Sequence, residues 1–129
     1  MEYSIQKKTS GTDFPALVQK TKEALAEQGF GILTEIDVQA TLKKKLNVDY
    51  GQYVILGACN PPLAYQALQA EKEIGLFLPC NVIVYEKNSE LYVSAINPTS
   101  AMGGIGNELL MAVAVAAEKK LIVALENIN

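Results

Sequence analysis

Apolar side chains along this chain recur in two rhythms, every second residue or every third and fourth, and the switches between them mark the elements. Tyr3 and Ile5 share one side of an alternating run over residues 2–8, which reads as a strand that Gly11 breaks. Phe14, Leu17, Val18, Thr21 and Leu25 then recur at helical spacing as one stripe. Thr12 or Asp13 caps that helix, Pro15 is tolerated in its first turn, and Gly29 suits the position just past its end. In the next strand, Phe30, Ile32, Thr34 and Ile36 alternate with Gly31, Leu33, Glu35 and Asp37. Val38–Leu46 is a short helical piece, with Leu42 and Leu46 one turn apart and Lys43, Lys44 and Lys45 turned to water. A strand over Tyr53–Ala58 is stopped by Pro61 and Pro62, which also suit the start of a helix over Ala64–Ala70.

The second half continues with a hairpin. Its strands are Asn81–Glu86 and Leu91–Ile96, with Lys87, Asn88, Ser89 and Glu90 around the turn. Val82, Val84, Leu91 and Val93 are the branched or bulky types that strands favour. After Asn97-Pro98 comes a loop holding Gly103, Gly104 and Gly106, and Asn107 then caps a long last helix. The main stripe of that helix is Leu110, Val113, Ala114, Ala117, Leu121, Ala124, Leu125 and Ile128, while Leu109, Met111, Val115 and Ile122 lie off it. A helix apolar over more than one face is covered on more than one side. The expected cover is a second copy of the chain, hence a homodimer. The order strand, helix, four strands, helix predicts an α+β fold, a mainly antiparallel sheet with helices packed on one face. Neither a linker nor a long internal repeat divides residues 1–129, so a single domain is expected.

Composition narrows the chemistry. Apolar residues make up 50% of the 129 and charged residues 19%, an ordinary globular balance. The net charge is −3, and every basic residue is lysine. Without histidine there is no Ser-His or Cys-His relay and no imidazole metal ligand. The absence of arginine removes the bidentate clamp for phosphate or carboxylate. With no basic surface, nucleic acid is not an expected partner. The longest apolar run, Leu109–Ala117, falls short of the roughly 20 residues that span a bilayer, and the first residues lack the pattern of a signal peptide. The expectation is a cytoplasmic protein with no membrane partner and two reduced cysteines.

Two segments then stand out. Gly57-Ala58-Cys59-Asn60-Pro61 is followed by Ala64, and Leu78-Pro79-Cys80-Asn81-Val82 opens the hairpin. Together with Asp37, Thr41-Leu42-Lys43 and Lys45-Leu46, they make nearly the whole chain resemble the family catalogued as domain of unknown function 302. The resemblance implies a β-α-β(4)-α fold related in shape to the TATA-binding protein. It implies no activity and no catalytic residues, and a shared fold does not bring DNA binding with it.

The candidate site is built from these segments. Cys59 ends one strand and Cys80 opens the next, so antiparallel pairing brings both to one edge of the sheet. The pair is read as part of a small-molecule or metal-ion site, as a thiol site for redox or sulfur chemistry, or as two small buried side chains. No Cys-x-x-Cys spacing supports a thioredoxin-like motif. Zinc would need ligands beyond two thiols, so Cys59 and Cys80 are only weak metal candidates, and no cofactor is implied. Asn60 and Asn81 can orient a ligand or serve turn chemistry. Gly103, Gly104, Gly106 and Asn107 open a helix, where exposed amides can hold an anion, although the loop lacks the glycine fingerprints of phosphate sites. Glu35 and Asp37 share a strand face and read mainly as solvated. The leading function is ligand binding near the two Cys-Asn segments. A thiol-based protein and a non-catalytic homodimeric interaction module are the alternatives.

Overall fold

The structure, a computed structural model, describes residues 3–129, so Glu2 of the expected first strand lies outside the described residues. Asn88 and Ser89 both take positive φ, 52° and 65°. Such two-residue turns match the twist of antiparallel strands, and this one folds β4 (Cys80–Lys87) back on β5 (Glu90–Ile96). The register sets Val84 opposite Val93 and Val82 opposite Ala95. On the other side of β4, β3 (Tyr53–Cys59) pairs Leu56 with Val82 and Ala58 with Cys80. β2 (Gly31–Asp37) and β1 (Ser4–Lys8) complete a wholly antiparallel sheet in the order β1-β5-β4-β3-β2.

Caps set the helix starts. The Asp13 carboxylate accepts from the Ala16 amide at 3.1 Å and opens α1 (Phe14–Glu27), which stops before Gly29 at φ 87°. Asp37 does the same for α2 (Val38–Leu46), Asn60 for α3 (Pro61–Ala70) and Asn107 for α5 (Glu108–Glu126). The stretch expected to be a glycine loop is instead a short helix, α4 (Pro98–Met102), followed by a 3₁₀ turn over Gly103–Ile105. Pro98 supplies a preset φ and lacks the amide that a first turn leaves unpaired. A second 3₁₀ segment, Lys72–Phe77, links α3 to β4.

The main core lies between the sheet and α1 with the second half of α5. Leu25, Leu56, Val82, Val84, Val93 and Leu121 are 0% exposed, and each contributes about 1.5–3 kcal/mol relative to an exposed side chain. A separate cluster joins Ala67, Ile74, Met102, Leu110 and Ala114 from α3, the 3₁₀ segment, α4 and the first half of α5. α5 therefore runs through both. Within the helical layer, α3 and α4 pack chiefly on α5. Among the described residues no helix is long and apolar enough to cross a membrane.

One strand departs from simple alternation. Ile32 pairs with Ala58, but Thr34 pairs with Gly57, so a bulge at Leu33 sets two residues against one. The expected common face of Ile32, Thr34 and Ile36 is broken. Ile32 packs on the core, Leu33 is 66% exposed, and Thr34 and Ile36 face away from α1 and α5.

The bulge also brings Thr34 over Gly57. A Cβ on Gly57 would collide with Thr34 Oγ1 and stand 2.9 Å from Pro79 Cγ. Gly57→Ala is therefore expected to destabilise the fold by about 1–3 kcal/mol, the usual cost of overpacking. Thr34→Ala in the same chain should recover part of the loss, and urea unfolding of the single and double variants checks it. A Gly57→Ala variant as stable as the parent would contradict the close approach.

Candidate functional site

Asn60 sits where β3 ends and α3 begins. Its Oδ1 accepts from the Leu63 amide at 3.4 Å, and its Nδ2 donates to the Gln28 carbonyl at 3.2 Å. Gln28 closes α1, so this buried side chain fastens the end of one helix to the start of another. Its polar ends are committed to structure.

The two cysteines flank the same corner. Cys80 opens β4 opposite Ala58, and Cys59 follows Ala58. Both thiols are free; Cys80 is buried and Cys59 half-buried. Burial pushes the Cys80 thiol above its ordinary value, because the thiolate would lose its hydration, and the neighbouring Cys59 adds to the shift.

Cys59, Asn60 and Cys80 line one pocket at the seam between the two clusters. Ala58 and Phe30 close it on the sheet side, and Ala67, Met102 and Ala114 on the helical side. The cavity measures about 30 Å³ and opens to solvent, with half-buried Leu63 and Ala64 among its lining residues. No carboxylate, lysine or hydroxyl side chain is among its lining residues. Sequence reading placed the thiols here but missed the wall. Its signal was the spacing of Ala64 with Ala67 and of Ala114 with Ala117, small residues one helical turn apart on α3 and α5.

The remaining candidates lie elsewhere. Asn81 is exposed, opposite Gly57, and does not line the pocket. Gly103 and Gly104 lie in the 3₁₀ turn, and Gly106 takes φ 74°. Asn107 Oδ1 accepts from the Leu110 amide at 3.0 Å, while its Nδ2 donates to the Ala70 carbonyl at 2.7 Å and Glu71 Oε1 at 3.3 Å. That side chain ties α5 to the end of α3. The Glu71 carboxylate and Glu108 in the first turn of α5 put negative charge where an anion would lie. Glu35 pairs with Lys22. Among the described residues no group of three or more His, Cys, Asp or Glu is placed to hold a metal ion.

Removing the Asn60 side chain leaves the start of α3 uncapped and the Gln28 carbonyl unpaired. Asn60→Ala is expected to lose about 1–3 kcal/mol of stability, read from its urea midpoint; an unchanged midpoint would show the bonds to be dispensable.

Cys80 gives a pH signature. Folded chains hold its proton to higher pH than unfolded chains do. Its contribution is complete below the ordinary thiol value of 9.0 and is lost as pH rises through the raised folded value. Tyr53, raised by burial, and Tyr92, raised by its bond to Glu90, act in the same direction only above their ordinary value of 10.0. Replacing Cys80 by Ala should flatten the fall in stability that begins near pH 9, followed by urea titrations across that range, and leave the steeper loss at higher pH.

The model of the family described as "Domain of unknown function DUF302" matches residues 5–128. The chain is also similar to a solved structure, the crystal structure of an uncharacterized conserved protein DUF302 from Bacillus stearothermophilus. That protein is 28% identical, with a TM-score of 0.93, and the match covers 100% of both chains. No functionally curated protein matches this chain.

Proposed function

The chain belongs to the DUF302 family, a domain of unknown function, and from its own pocket we propose that it is a homodimeric, non-catalytic domain that binds a slender, uncharged, mainly apolar molecule. The site is the seam pocket beside Cys59, Asn60 and Cys80. The observation that carries this reading is the character of its wall, apolar except for two thiols and an amide already engaged at both ends.

Size and polarity choose the ligand class. A cavity of about 30 Å³ has room for one water or one methyl-sized group. A buried water wants two to four polar partners, and this wall offers weak ones. The tip of an alkyl chain loses nothing there, while the rest of the molecule rests in the mouth. A charged ligand would be stripped of water with no counter-charge in the wall.

The same physics weighs against the rival readings. A soft metal ion or a redox reaction needs thiolates, and burial holds Cys80 in its neutral form. Cys80 then serves as a compact apolar surface with a weak donor. Homodimerisation is supported by apolar area outside both clusters, including Ile36 at 46% and Leu109 at 73% exposure.

A titration with 1-hexanol tests the pocket. Protein labelled with ¹³C in its methionine methyls reports through Met102, which lines the cavity, with Met111 as the internal reference. Hexanol should shift the Met102 signal saturably. The half-buried Ala64→Leu variant at the mouth should abolish that shift while keeping the parent's circular dichroism. No saturable shift in the parent, or an equal shift in Ala64→Leu, would overturn the assignment.

A further inference from the structure

The sheet has a second face, turned away from α1 and α5. Tyr53 pairs with Tyr85 and Tyr85 with Tyr92, so three tyrosines form a row across β3, β4 and β5. Their rings stack at 5.6 and 5.3 Å. Beside them runs a second row in register, Ile36, Ile55 and Ile83 across β2, β3 and β4. The alternate residues Val54, Leu56, Val82 and Val84 are buried in the core, so these two rows face the other way.

Some polar groups of this face are paired within the chain. Gln6 Nε2 donates to the Tyr85 hydroxyl at 2.7 Å, and the Tyr92 hydroxyl donates to Glu90 at 3.1 Å. Glu90 in turn pairs with Lys8 at 2.9 Å. The two central rows carry no charge, and the ion pair sits at the rim beside β1.

We infer that a second copy of this chain packs on this face, sheet against sheet about a two-fold axis. The inference rests on the homodimer reading above and names its surface. Interfaces are richest in aromatic residues and poorest in charge at their centre, with charge at the rim, which is the layout here. Area agrees. Strands about 4.8 Å apart and about 3.4 Å per residue make a five-stranded face of roughly 550 Å², or about 1,100 Å² for two copies, and a specific interface needs about 1,000 Å². Sheets packed face to face lie about 10 Å apart and interdigitate such rows. An isologous contact sets this face against its own copy, and rows free of charge meet no repulsion there. The outer side of α5 is another apolar surface, but exposed Lys119 interrupts it between Val115 and Ile122. The sequence drew attention to α5; on the sheet the charges of Lys8, Lys87 and Glu90 lie outside the two central rows.

Sedimentation equilibrium at micromolar concentration tests this with the parent, Ile36→Lys, Ile83→Lys and Leu109→Lys. The parent should weigh twice the 14.0 kDa of one chain. Ile36→Lys, at a position already 46% exposed, should weaken association at least tenfold and return the single-chain mass with unchanged circular dichroism. Ile83→Lys should act alike, and Leu109→Lys should remain dimeric. A monomeric parent overturns both the homodimer and this face. A dimer that survives Ile36→Lys and Ile83→Lys, or one lost in Leu109→Lys alone, overturns the face and leaves the homodimer standing.

Discussion

Six register pairs between β3 and β4, from Tyr53 opposite Tyr85 to Ala58 opposite Cys80, govern the rest of the molecule. Strand alternation sends Val54, Leu56, Ala58, Val82 and Val84 to the helices and Tyr53, Ile55, Ile83 and Tyr85 to the opposite side. A slip of one residue would exchange the two sets. The same register carries Cys80 to the end of β3, where Cys59 leads into α3. Core, outer face and pocket are thus three consequences of one ladder, and Gly57 keeps the ladder open where Thr34 and Pro79 close over it.

Much of this was legible in the sequence because the signals were local. Caps at Asp13 and Asn107 stand directly before apolar stripes, and the left-handed exit at Gly29 needs only the glycine itself. The hairpin was readable from two alternating runs around Asn88 and Ser89. The bulge at Leu33 was not, because with two strand residues before it and four after it the alternation reads as one unbroken strand. The helix α4 escaped for another reason. Five residues with two glycines behind them read as a loop, and packing of buried Pro98 and Met102 decides the outcome.

The candidate site divides along the same line. Bringing Cys59 and Cys80 together needed only the antiparallel pairing of their strands. Separating Asn60 from Asn81 needed the structure. The two follow a cysteine each and look equivalent in sequence, yet one ends its strand inside the α1–α3 junction and the other lies within a strand on the exposed face. The role of Asn107 was half readable. Its cap is local, whereas its bonds to Ala70 and Glu71 bridge elements far apart in sequence.

The pocket itself follows from how α5 is shared between two clusters. The helix must lie close to α3 at one end and to the sheet at the other, and Ala67, Ala114 and Ala117 permit both approaches. Small residues that let backbones come together also leave no side chain to fill the seam. At about 24 cal/mol per Å³, a void of about 30 Å³ costs only about 0.7 kcal/mol, small beside the burial of one leucine. The fold can therefore carry an empty seam without losing stability that matters. A ligand tip that fills it regains contacts rather than displacing any. That balance, a small apolar void with no charge in its wall, is why binding is the stronger reading of the two cysteines and catalysis the weaker.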